Sequence, residues 1–86
     1  MSSALLIANP AASQFTGGLH RMAMRTLARS HDIRPIWPQS AEHSRIVARD
    51  AVRSGVELVI AMGGDGIVHH VAQGVVDTDG VLGIIP

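Results

Sequence analysis

The segment with the clearest chemical potential is Val59-Ile60-Ala61-Met62-Gly63-Gly64-Asp65-Gly66-Ile67-Val68. An apolar run passes into a turn of three glycines and one carboxylate. Apolar residues at helical spacing follow, at Ile67, Val68, Val71, Ala72 and Val75. Glycines let a backbone come close to a polyphosphate and aim amides at it, and the start of a helix adds favourable partial charge. An Asp beside phosphates is repelled by them unless it holds Mg²⁺ or accepts a proton, and phosphoryl transfer uses groups of both kinds. The same four residues also suit a tight turn with an Asp capping a helix, and alone they leave the two readings level. A second element, Asn9-Pro10-Ala11-Ala12-Ser13, ends an apolar run over Ala4 to Ala8. His69 and His70 are adjacent. Neighbouring helical residues point about 100° apart, so the pair is ill placed to chelate one ion and reads as surface or groove histidines. His20, His31 and His43 form no ligand spacing of their own.

The elements that must position these residues follow from periodicity. Ala4 to Ala8 is apolar without alternation, as a strand buried on both faces would be. Residues 9 to 18 are loop-like. Leu19, Met22, Ala23 and Leu27 then recur at helical spacing, with Arg21, Arg25 and Arg29 as a second stripe. Ile33 to Trp37 reads as a short strand, and Pro35 places it at a sheet edge because it lacks a backbone donor. Ser40 suits an N-cap, with Glu42 in the first turn of a second helix. In that helix Ile46, Val47, Ala51 and Val52 are expected to face inward, with Arg45, Arg49 and Arg53 outward and Gly55 at the C-cap. Both Arg stripes read as solvated helix faces rather than phosphate sites. Glu57 to Met62 and Val81 to Ile85 complete the set of strands. The βαβαβαβ alternation implies a parallel sheet with right-handed crossovers in a three-layer α/β/α arrangement, and the order 2-1-3-4 puts the Pro35 strand at an edge. The first and third strands are then neighbours, so the Asn9–Ser13 and Gly63–Gly66 loops converge at their carboxyl ends.

Composition bounds the alternatives. The 86 residues suit one small domain, and 47% hydrophobic with 16% charged residues is ordinary globular composition. All seven basic residues are Arg, balancing seven acidic ones. Zero net charge gives no reason to expect nucleic acid. The lack of Lys excludes a GxxxxGK[ST] loop, and the lack of Cys excludes disulfides and thiolate metal sites. No basic region precedes the first apolar run, so it does not read as a signal peptide. No apolar run approaches the ~20 residues of a membrane span. Cytoplasmic residence is expected, and any membrane contact would be peripheral. Neither glycine cluster reads GxGxxG after the first strand, which counts against a dinucleotide-binding domain.

Taken together, the chain resembles the catalytic domain of diacylglycerol kinases and the related bacterial lipid kinases. Leu6-Ile7-Ala8-Asn9-Pro10-Ala11-Ala12 matches the family's opening strand and Asn-Pro loop. Gly63 to Gly66 matches its Gly-Gly-Asp-Gly-Thr loop, and Leu82-Gly83-Ile84-Ile85-Pro86 the approach to its Pro-x-Gly-Thr-x-Asn segment. His43 and Gly55 also fall where the family often has a helix-start His and a helix-end Gly. The resemblance covers essentially the whole chain. It implies ATP and Mg²⁺ as cofactors and a lipid hydroxyl as acceptor, diacylglycerol-like or sphingoid, in a protein that meets the membrane peripherally. By position it assigns Asn9, Pro10, Ala11, Ser13, Gly63, Gly64, Asp65, Gly66 and Ile67 to the nucleotide, with Asp65 as catalytic residue and metal ligand. NAD kinase and the phosphofructokinases also use Gly-Gly-Asp-Gly, so a NAD-kinase-like enzyme is an alternative, as is a non-catalytic nucleotide-binding fragment. The Asn-Pro-Ala-Ala opening favours the lipid branch.

The departures are specific. Ile67 stands for the usual Thr, as apolar residues do in sphingosine and ceramide kinases. Ser13 stands for a Gly, and Pro38 falls near a nucleotide-contacting Thr. His69-His70 replaces Asn-Glu, where sphingosine kinases have His-Glu. The resemblance also implies that residues 1–86 form the N-terminal part of the catalytic domain, without the family's β-rich second domain. Much of the lipid site and a further carboxylate would lie there, so the 86 residues alone are expected to be poorly active.

Overall fold

A computed structural model of the chain describes residues 2–9 and 16–86. Four strands, β1 (Ser2–Ala8), β2 (His31–Ile36), β3 (Leu58–Met62) and β4 (Val81–Ile85), alternate with three helices, α1 (Gly17–Leu27), α2 (Ala41–Arg53) and α3 (Asp65–Val75). The strands form one parallel sheet in the order β2-β1-β3-β4. Pro35 sits on the edge strand β2, where its missing N–H costs no central ladder bond.

Because successive strand residues point to opposite faces, β1 and β3 each feed two cores. Leu5, Ile7, Val59 and Ala61 pack with Ala48 of α2 and with Ile67, Val71 and Val75 of α3. Leu6, Ala8, Ile60 and Met62 pack on the other face against Ala23, Met24 and Leu27 of α1. The result is three layers, with α1 on one face and α2 and α3 on the other. Leu6, Ile7, Val59 and Val71 are under 2% exposed, and burial of each contributes about 1.5–3 kcal/mol.

The starts of α1 and α2 follow hydroxyl caps. Thr16 Oγ1 accepts from Leu19 N at 3.1 Å, and Ser40 Oγ accepts from His43 N at 3.0 Å. His43 Nδ1 in turn accepts from Gln39 N at 3.2 Å, closing a reciprocal cap that ties the β2–α2 loop to the helix. At the other end of α2 the cap is Ser54, and Gly55 follows with φ +102°, the conformation its position suggests.

Two helix faces differ from the periodicity. Leu19 and Met22 are 40% and 64% exposed, and α1 instead turns His20, Ala23, Met24 and Leu27 toward the sheet. Ile46 is 46% exposed, whereas Ser44 and Ala48 are fully buried. Small residues occupy the inner face of α2 because it approaches α3 closely at Gly74. A Cβ on Gly74 would lie 2.3 Å from Arg45 O and 3.0 Å from Ala48 Cβ. Ser44 meets the cost of burial by donating its hydroxyl to Ala41 O within its own helix.

Candidate functional site

Sheet register fixes what lies at the carboxyl edge. Ala8 pairs with Met62, and Met62 pairs with Ile85. Asn9 and Gly63 are therefore the next residues on adjacent strands, about 5 Å apart between backbones. The chain leaves β1 toward β2 and leaves β3 toward β4, so this is also where the strand order reverses, the usual place for a ligand in an open α/β sheet. Asn9 is partly buried there. Pro10, Ala11 and Ser13 lie outside the described residues.

Gly63 has φ +144°, a conformation that favours glycine, and its N–H donates to Ile85 O at 3.2 Å. That bond carries the β3–β4 ladder one step past Met62 and fixes the base of the turn. Gly64 is then the N-cap of α3, with extended backbone and no side-chain hydrogen bond at the cap. The first bond of the helix runs from Val68 N to Gly64 O at 3.3 Å. The amides of Asp65, Gly66 and Ile67 precede it and point outward from the helix end, where the dipole favours an anion.

Side chains divide the turn into two parts. Gly64, Asp65 and Gly66 are exposed, and a Cβ on either glycine would meet nothing within 4 Å among the described residues. Ile67 is only 3% exposed and belongs to the core with Val71 and Val75. What Ile67 can offer a ligand is its backbone N–H, and its side chain anchors the first turn of α3 on the sheet. The Asp65 carboxylate sits in that turn. Among the described residues no three His, Asp or Glu side chains come together as a metal cage. A divalent cation held by one carboxylate together with substrate phosphates fits this arrangement, since Mg²⁺ commonly binds that way and keeps several waters.

His69 and His70 follow on α3, with ring centroids 5.4 Å apart and planes at 71°. His70 Nδ1 is buried without a hydrogen-bond partner among the described residues. Periodicity did not single out His20 and Trp37. Their ring centroids are 4.3 Å apart with planes at 33°, and they lie at the same carboxyl edge. Burial lowers the His20 pKa below its ordinary value of 6.5. Pro38 follows Trp37 and offers no hydroxyl. A shallow cavity of 410 Å³ lined by Val52, Gly55, Val56, Glu57, Asp79, Gly80 and Val81 opens at the opposite, amino edge of the sheet. Among the described residues no helix is long and apolar enough to cross a membrane.

Comparison with known proteins agrees with this geometry. The family model of the diacylglycerol kinase catalytic domain matches residues 3–86. A diacylglycerol kinase of Bacillus anthracis str. Sterne superposes with a TM-score of 0.78 at 28% identity, over 99% of this chain and 32% of that one. Two structures of candidate diacylglycerol kinases from the same organism give TM-scores of 0.77 and 0.79 at 30% and 28% identity. They cover 99% of this chain and 32% and 30% of theirs. The chain thus spans about a third of the length of these proteins. No curated protein matches it.

Proposed function

The chain belongs to the diacylglycerol kinase catalytic domain family, and from that premise we propose that it supplies the ATP-binding part of an enzyme that phosphorylates a lipid hydroxyl, diacylglycerol-like lipids being favoured over sphingoid bases. The observation that carries the proposal is the exposed Gly64–Gly66 turn at the start of α3, one strand spacing from Asn9.

In this proposal the amides of Gly64, Gly66 and Ile67 bind phosphate oxygens. Asn9 faces them from the end of the neighbouring strand. Catalysis of phosphoryl transfer is mostly positioning and charge stabilisation, which a turn held between the buried strand β3 and helix α3 can provide. Asp65 would be the residue to hold Mg²⁺, which would supply neutralisation of the phosphate charge when bound with ATP. The acceptor oxygen of the lipid forms a bond to the γ-phosphorus as the bond to the β–γ bridging oxygen breaks. ADP leaves with that electron pair, and the hydroxyl proton passes to a carboxylate or to solvent. In this proposal Asp65 either holds the metal or accepts that proton.

The test uses a protein of the relatives' length that contains these residues, with Mg·ATP and diacylglycerol in mixed micelles. Asp65→Asn should lower turnover about 10²–10⁴-fold, the range for lost acid–base function. Near-normal turnover would leave Asp65 only a turn-forming role. The 86 residues alone should bind ATP weakly and yield little phosphorylated lipid. Robust product from them, lost on Asp65→Asn, would refute the placement of the lipid site outside this segment.

A further inference from the structure

Trp37 is the chain's single tryptophan, and it lies one residue beyond β2 at 48% exposure. Tryptophan carries a very large apolar surface, so leaving half of it outside forgoes much of what burial would contribute. The local sequence holds it in place. Pro38 biases the backbone of Trp37 toward the extended region. Ile36 packs with the α2–α3 core, so the next side chain projects toward the α1 face. There the indole meets His20, itself only 8% exposed, at a centroid distance of 4.3 Å. The ring is thus braced by a buried residue of a packed helix while a large part of it stays accessible.

Register sets its distance from the phosphate turn. Ile36, Ile7 and Ala61 lie level across β2, β1 and β3. Trp37 therefore stands beside Ala8 and Met62, one step below Asn9 and Gly63. Two strand spacings separate it from β3, about 10 Å in all. The base and terminal phosphates of an extended nucleoside triphosphate are separated on the same scale. Along the carboxyl edge the order is an aromatic plane, an Asn, then open amides at a helix start.

We propose that Trp37 is the platform on which the nucleobase stacks, with the sugar over Asn9 and the phosphates on the Gly63–Gly66 turn. This rests on the nucleotide-binding role proposed for that turn and adds the base-binding residue to it. Stacking uses the π-face common to all bases. The site therefore accepts ATP and GTP with similar affinity.

The single tryptophan makes the test direct. The 86-residue chain is titrated with Mg·ATP, Mg·GTP and inorganic tripolyphosphate, following both indole emission and heat of binding. Both nucleotides should change the emission saturably, and tripolyphosphate should bind without doing so. Trp37→Phe keeps a ring. Trp37→Leu keeps apolar volume but no π-face, and thermal unfolding verifies that each variant is folded. Trp37→Leu should weaken ATP binding about 5- to 140-fold, the equivalent of ~1–3 kcal/mol of base stacking, and leave tripolyphosphate unchanged. Trp37→Phe should stay within a few-fold of the parent. Equal ATP affinity in Trp37→Leu, or equal weakening of ATP and tripolyphosphate, would overturn the stacking role and leave the phosphate turn standing. Failure of the parent chain to bind either ATP or tripolyphosphate would overturn the nucleotide role of the turn, and the stacking role with it.

Discussion

Helix α3 contains two glycines that the structure uses in opposite ways, so one substitution should have opposite effects at the two positions. At Gly74 a new Cβ would lie 2.3 Å from the Arg45 carbonyl oxygen and 3.0 Å from Ala48 Cβ. The nearest atom is backbone, so no rotamer change relieves the clash. Helices α2 and α3 must part by roughly 1 Å to restore an ordinary contact, which weakens dispersion along their shared seam. Overpacking of this kind costs about 1–3 kcal/mol, and a backbone clash belongs at the upper end. Replacing Gly by Ala within a helix returns about 1 kcal/mol. Gly74→Ala should therefore destabilise by about 1–2 kcal/mol net, and lower Tm by roughly 5–15 °C in a domain of this size. At Gly66 the added methyl meets nothing within 4 Å among the described residues, so Gly66→Ala should leave Tm unchanged or raise it slightly. If phosphates approach the turn closely, the same methyl should weaken ATP binding. Thermal and urea unfolding of both variants, followed by nucleotide titration of Gly66→Ala, checks all three statements. A Gly74→Ala protein as stable as the parent would refute the close approach of the two helices.

Two further outcomes follow from single residues. Gly63→Ala forces a side chain onto φ +144°, so it should cost about 1–3 kcal/mol in urea unfolding and weaken ATP binding through displacement of the amides that follow; a variant as stable as the parent would argue against that backbone conformation. The lowered pKa of His20 means that the unfolded chain binds the proton more readily, so its contribution is complete above the ordinary pKa of 6.5 and is lost as pH falls through the lower folded value. Tm should thus fall more steeply between about pH 7 and 5 in the parent than in His20→Phe, and equal slopes would show that burial of His20 carries no such linkage.

Much of the frame was legible because it rests on local chemistry. The extent of β4, the edge position of β2, the Ser40 cap and the order β2-β1-β3-β4 follow from apolar runs, one proline and the alternation of elements. The errors share one physical cause. Hydropathy ranks Leu19, Met22 and Ile46 as core, but burial is decided by which face a helix presents and how closely its neighbour approaches. His20 goes inside because Trp37, one residue beyond β2, packs against it, a contact between residues seventeen positions apart. Ser44 and Ala48 go inside because α2 meets α3 across Gly74, where a large side chain has no room. At the candidate site, the sequence pattern identified the turn. It did not show that Ile67 divides its duties, with its side chain in the core and its amide at the helix end.

The glycines themselves argue for a ligand at that turn. Of the nine, Gly55 and Gly63 have positive φ. Gly74, Gly80 and Gly83 are crowded, with a Cβ predicted at 2.3, 2.7 and 3.3 Å from its nearest neighbour. Those five are accounted for by the fold. The remaining four, Gly17, Gly18, Gly64 and Gly66, have negative or extended backbone, and a would-be Cβ on each meets nothing within 4 Å among the described residues. All four lie at the carboxyl edge of the sheet, in or next to the first turns of α1 and α3. Glycine inside a helix costs up to about 1 kcal/mol relative to Ala, so Gly17, Gly18 and Gly66 weaken the helix starts without a packing return, while Gly64 at the N-cap of α3 carries no such cost. A molecule that must approach the backbone at that edge gives the cost a reason, and polyphosphate, which binds amides rather than side chains, is the chemistry that fits it best.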